Sequence, residues 1–330
     1  METDNSFTPV PENPPTPFYN KFLEAGREGK NQWWRYLIGI ILTFFVGYSI
    51  IGAVPILGLV VRGYLMNYFT LEEARSKPEH LESPAYLHVD QNVLLPCLLF
   101  IFVAAMFFLW MAVRFVHKKR FMSIIASERK PFDFKRFFIA AGIWLVFSII
   151  ILVIGLISSP STFVCVFEPG PFVIATIICL IMLPIQTGWE ELFLRGYIMQ
   201  GLGLWLKKPI WPLLITSVIF GLLHMENAEV TANGVAMMLP QYILPGLVFG
   251  IIALLDERLE LAWGLHFANN LFGILTVTSP EMSVQSHAIW KVASLGGSFD
   301  LISGLVPFVI VIVIFWKMYK WKADKIFRTY

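Results

Sequence analysis

The sequence predicts an all-α, polytopic integral membrane protein of about eight transmembrane helices with both termini cytoplasmic, and three observations predict it. Of 330 residues, 57% are hydrophobic and only 15% are charged, against about 25% charged in ordinary soluble domains. Eight apolar windows recur along the chain, each close to the roughly 20 residues that a helix needs to cross a bilayer. With the N-terminus placed in the cytoplasm, 21 of the 25 Lys and Arg fall on the cytoplasmic side, the asymmetry expected of the positive-inside rule.

The elements follow in order. Residues 1–36 are polar and Pro-rich and lack the short apolar run of a signal peptide. Within them, Phe18 to Trp34 mixes aromatic and basic residues and reads either as an interfacial segment or as a disordered tail. Spans at 37–61, 93–113 and 137–157 make a three-span region, 37–170. Spans at 171–194, 210–224, 235–255 and 259–277 make a core, 171–277, in which the fourth span is interrupted by charge and the fifth is short. The last span, 302–318, leads into a basic tail and completes 278–330. The basic connection Arg114 to Arg136 serves orientation and contact with anionic lipid. Pro184, Pro240 and Pro245 place kinks in the later spans, where they could open a cavity.

Two classes of function are set aside by composition. Net charge is +2 with clustered basic residues, which argues against a nucleic-acid surface. Cys97, Cys165 and Cys179 show no C-x-x-C spacing, so they read as buried free thiols rather than as disulfides or a thiolate metal site.

The informative residues are those that are costly in lipid: Glu190, Glu191, Arg195, His224, His266 and Asn270. One charged side chain at mid-bilayer costs about 2.5–3.5 kcal/mol on insertion scales, so such groups turn toward each other or toward water. Glu191 and Arg195, Phe220 and His224, and His266 and Asn270 each stand four residues apart, which places each pair on one side of a helix. Arg195, near the inner interface, is expected to snorkel and neutralise Glu191. Glu190 has no charged partner four residues away on its own helix and is left for the histidines. Phe220 reads as packing. His80, His88, His117 and His287 fall in connections and call for no catalytic role. Glu190, His224 and His266 also make a conditional set of three ligands for zinc or another divalent metal, with water in the fourth place.

These residues, Glu190-Glu191-x-x-x-Arg195, Phe220-x-x-x-His224 and His266-x-x-x-Asn270, resemble in order and spacing the signature of the CPBP (CAAX-processing and bacteriocin-processing, or Abi) intramembrane proteases, which include type II CAAX prenyl endopeptidases. The resemblance covers about residues 171–277. It implies an intramembrane endopeptidase acting on a peptide or membrane-protein substrate. In it Glu190 would activate water beside His224, His266 and Asn270 would polarise or hold the scissile carbonyl, and Glu191 would support from its pair with Arg195. Members are described both as metalloproteases and as metal-free glutamate-type proteases. A multi-pass protein of the bacterial cytoplasmic membrane is the expected setting. Two competing readings stand beside this one: a proton- or ion-coupled transporter, which also places carboxylates and histidines in a membrane, and a non-catalytic bacteriocin-immunity protein. The sequence does not assign an oligomeric state.

Overall fold

The computed structural model describes residues 20–76, 81, 83–127, 130–206, 208–293 and 301–328. His80 lies outside them. A helix occupies each of the eight apolar windows: α1 Trp33–Leu65, α2 Gln91–Val116, α3 Phe134–Ser158, α4 Pro169–Gly203, α5 Ile210–Leu222, α6 Val235–Asp256, α7 Glu260–Thr276 and α8 Leu301–Tyr319. Among the described residues, α1 to α4 and α6 are long and apolar enough to cross a membrane. The helix α5 and the Gly304–Tyr319 part of α8 are apolar but shorter. The protein is an all-α polytopic membrane protein.

The pattern of α3 shows why these segments fold as they do. Val146, Ile149, Ile150, Val153 and Ile157 are exposed, whereas Phe137, Ala140, Ala141, Trp144 and Ser148 are buried. Both sets follow the three- and four-residue steps of a helix. Here the outward face is as apolar as the inward one, as hydrocarbon solvent demands. The buried face packs on α7 at unusually short range: a Cβ at Gly264 would lie 2.1 Å from the carbonyl oxygen of Phe137.

The fourth span differs from its expected form. Charge does not interrupt it; α4 runs unbroken to Gly203, passing from α-helical Pro169–Glu191 into a π-helical stretch, Leu192–Met199. The reason is that each of its charged side chains finds a partner inside the bundle, so the backbone has no cause to end there. The fifth span is shorter than read, because α5 stops at Leu222 and His224 follows in a turn. Of the cysteines, Cys179 is buried and Cys97 half-buried, but Cys165 is exposed. Cys165 departs from the expectation because it sits in a short strand outside the helices.

The two ends of the bundle are built differently. At one, the segment from Asn20 docks with Phe22 and Leu23 fully buried. Asn20 caps the helix Lys21–Glu24 and its side-chain amide donates to the carbonyls of Leu254 and Lys325. The described part of the N-terminal segment is therefore ordered. At the other end, β1 (Val164–Cys165), β2 (Val277–Thr278) and β3 (Trp290–Lys291) form a small sheet in the order β1-β3-β2, with β1 antiparallel and β2 parallel to β3.

His117, expected in a featureless connection, is fully buried at the first end. Its Nδ1 is 2.8 Å from the Lys30 carbonyl and its Nε2 is 2.7 Å from the Tyr197 hydroxyl. Burial, reinforced by nearby Lys119, pulls its pKa down to about 4 from 6.5. Between these values the unfolded chain binds the proton that the folded chain refuses. Stability is therefore complete above about pH 6.5 and is lost as pH falls toward 4, with a slope of up to about 1.4 kcal/mol per pH unit. Melting temperature in detergent should fall over this window for the wild type and flatten in His117→Gln.

Candidate functional site

The site is built on α4, where two adjacent glutamates point in different directions because successive helical residues are rotated by about 100°. Glu191 and Arg195 are both fully buried. The guanidinium donates from Nη1 to Glu191 Oε1 at 3.0 Å and from Nη2 to the Gly246 carbonyl at 2.9 Å. It also lies 4.8 Å from the ring centre of Phe220 and 5.7 Å from that of Phe249. Arg195 therefore does not snorkel to an interface. The ion pair, a carbonyl from α6 and two aromatic faces replace water around it. Phe220, expected only to pack, supplies one of those faces.

Glu190 takes the other direction and is held by neutral and cationic-capable groups rather than by a charge on its own helix. Gln186 Nε2 donates to Glu190 Oε1 at 2.7 Å, and Asn270 Nδ2 donates to Gln186 Oε1 at 3.0 Å. One amide thus links α7 to the carboxylate on α4. His266 stands between the two glutamates. Its Nδ1 donates to Glu191 Oε1 at 2.9 Å, and its Nε2 lies 3.3 Å from Glu190 Oε2. That second approach is close enough for an ion pair but forms no aligned hydrogen bond, and Glu190 Oε2 has no hydrogen-bond partner. His266 also stacks on Phe249, with ring centres 4.8 Å apart.

A cavity of about 480 Å³ opens against this assembly. Gln186, Trp189, Glu190, Phe220, His224 and Asn270 line it, coming from α4, α5, the turn after α5, and α7. Glu191, Arg195 and His266 do not line it. They form a buried layer behind Glu190. The three motifs converge on one place, but in two depths.

His224 reaches the cavity from a turn. Its Nδ1 donates to the Phe220 carbonyl at 2.7 Å, which keeps the four-residue relation of the motif after the helix has ended. Its ring stacks on Tyr242, with centres 4.6 Å apart, and Tyr242 accepts a hydrogen bond from Asn227. Committing Nδ1 to a carbonyl leaves Nε2 as the nitrogen available to a group in the cavity.

The residues do not fit the conditional zinc site. Among the described residues no group of three His, Cys, Asp or Glu side chains is disposed to hold a metal ion. Both nitrogens of His266 face carboxylates, so Glu190, His224 and His266 do not form a ligand set, and no step below is routed through a metal.

Gln186, Trp189 and Tyr242 were not singled out by sequence. Gln186 had a legible signal, since it stands four residues before Glu190 just as Arg195 stands four after Glu191. Trp189 carries an indole nitrogen that is buried without a hydrogen-bond partner. Tyr242 could be placed against His224 only by the packing of α6 on α5.

Comparison with known proteins agrees with the resemblance carried by the motifs. Residues 169–272 match the family model for type II CAAX prenyl endopeptidase Rce1-like proteins. The chain is also 28% identical to YyaK, an uncharacterized protein of Bacillus subtilis (strain 168), over 256 residues, which is 76% of this chain and 80% of that protein. No solved structure matches the chain.

Proposed function

We propose that this chain, Rce1-like over residues 169–272, is an intramembrane endopeptidase that hydrolyses a peptide bond with Glu190 as general base. The observation that carries the reading is that Glu190, His224 and Asn270 line one cavity while the charges that steady them lie behind it. Glu190 lines the cavity, and its carboxylate is the acceptor that a nucleophilic water needs. His224, with Nδ1 committed to the Phe220 carbonyl and Nε2 uncommitted, is the second group lining the cavity that holds this water.

In the reaction the water oxygen bonds to the scissile carbonyl carbon as its proton passes to Glu190. The oxyanion that results takes a hydrogen bond from the Asn270 amide, released from Gln186, in a site where little water competes. The C–N bond then breaks, and the proton on Glu190 passes to the departing nitrogen. His266, with a carboxylate at each nitrogen, acts as a positioning residue in this scheme. It fixes the spacing of Glu190 and Glu191 rather than touching the substrate, which modifies the carbonyl role that the resemblance implies for it.

The transporter reading receives no support from the charged helix, because α4 is continuous through Glu190 and Arg195 rather than broken in two. A test needs no natural substrate. Purified protein in proteoliposomes is expected to cleave members of a mixed pool of internally quenched peptides, and His224→Ala is expected to lose about 100-fold or more of that rate. Equal rates in the two preparations would remove His224 from the mechanism. Absence of wild-type cleavage in both vesicles and detergent would favour the non-catalytic alternative.

A further inference from the structure

We propose that the cavity takes its substrate from the extracytoplasmic face, so that the substrate is a peptide segment exposed on that side of the membrane; the peptide part of this statement rests on the proteolytic reading above. The inference comes from where the cavity sits between the two unlike ends of the bundle. One end gathers the chain's basic connections. There the Lys30 amide donates to the His117 carbonyl, the Leu259 amide donates to the Ile125 carbonyl, Gln200 reaches the Ser123 carbonyl, and Arg136 pairs with Asp256 at 2.6 Å. The other end gathers the connections before α2, α4, α6 and α8. There β1, β2 and β3 pair, Asn92 donates to the Pro171 carbonyl, and His287 lies 3.1 Å from Asp90.

The cavity belongs to the second end. Its rim is made by Glu226, Asn227 and Glu229 after α5 and by Met282, Ser283 and Val284 after α7. The two rim segments are joined: Ser283 Oγ donates to Glu229 Oε2 at 2.7 Å, and the Ala228 amide donates to Ser283 Oγ at 2.8 Å. Its wall on α2 is made by Leu98, Leu99, Ile101 and Phe102, about 10–17 Å from the end of that helix nearest the sheet at 1.5 Å per residue. Among the described residues, no lining residue comes from 112–133, 200–209, 254–260 or 320–328, the segments of the basic end.

Orientation then follows from charge. Among the described residues the connections at the sheet end carry few basic groups, Arg75 and Lys291 with Arg62 in the last turn of α1, and more acidic ones, including Glu72, Glu73 and Asp90. The basic end is the one retained in the cytoplasm by the positive-inside rule. A substrate tethered at the cytoplasmic leaflet would meet the end to which the cavity does not extend.

Two measurements test this with the full chain. In a Cys165→Ser background, Glu226→Cys at the rim and Lys322→Cys in the basic tail are treated with a membrane-impermeant maleimide on sealed cells. Labelling of Glu226→Cys on sealed cells, with Lys322→Cys reacting only after permeabilisation, is the expected result. The reverse pattern overturns the proposal. In the second measurement, the quenched peptide pool is added to right-side-out and to inverted sealed vesicles of the wild type. Cleavage at least 10-fold faster in right-side-out vesicles is expected, and faster cleavage in inverted ones overturns the assignment. If no vesicle and no detergent extract cleaves, the peptide substrate is overturned together with the proteolytic reading, and the maleimide result alone decides the face.

Discussion

Glu190→Gln is expected to lower peptide cleavage by about 10²–10⁴-fold, the span that a positioned general base contributes, while leaving the protein folded. The amide keeps the shape of the carboxylate and can still accept from Gln186 Nε2 at the position of Oε1. It cannot take a proton from a water in the cavity, as the carboxylate can. Cleavage per folded molecule, with unchanged melting temperature in detergent as the control, is the measurement. Wild-type turnover in this variant would falsify the assignment of Glu190.

The second large effect belongs to stability. Removing one member of the buried Glu191–Arg195 pair, as in Glu191→Leu, leaves a guanidinium without its carboxylate in a site with no water exposure. Such breakage costs about 3–5 kcal/mol. Arg195→Leu should be damaging for the complementary reason, since Glu191 would keep only His266. The double variant, Glu191→Leu with Arg195→Leu, is expected to be more stable than either single one, because both charges leave together. Denaturant or thermal unfolding in a fixed detergent reads the difference. A double variant whose loss equals the sum of the two singles would show that the pair does not act as a unit.

These expectations divide along the line between what the sequence exposes and what only packing decides. The helices were legible because hydrocarbon leaves a backbone few alternatives, and windows such as 137–157 announce themselves by length and apolarity. The pairing of Glu191 with Arg195 was legible because it is local to one helix. The end of α4 was misplaced because charge in a membrane segment looks like an interface unless its partners are known, and two of Arg195's neighbours, Gly246 and Phe249, come from α6. The depth of His266 was hidden for a similar reason. Spacing puts His266 and Asn270 on one side of α7, but whether each reaches the cavity or stops behind Glu190 depends on how far α7 is rotated against α4. His117 looked idle because its partners, Lys30 and Tyr197, are 87 and 80 residues away.

The missing side chain at position 264 governs that placement from a distance. With hydrogen in place of a methyl group, α7 lies against the backbone of α3 at Phe137, and His266 and Asn270 follow two and six residues later on the same rigid rod. A single added carbon would act as a wedge, levering α7 toward α4 and spoiling the fit of His266 between Glu190 and Glu191. The alignment of the site is thus gauged on a helix contact that includes none of its polar atoms.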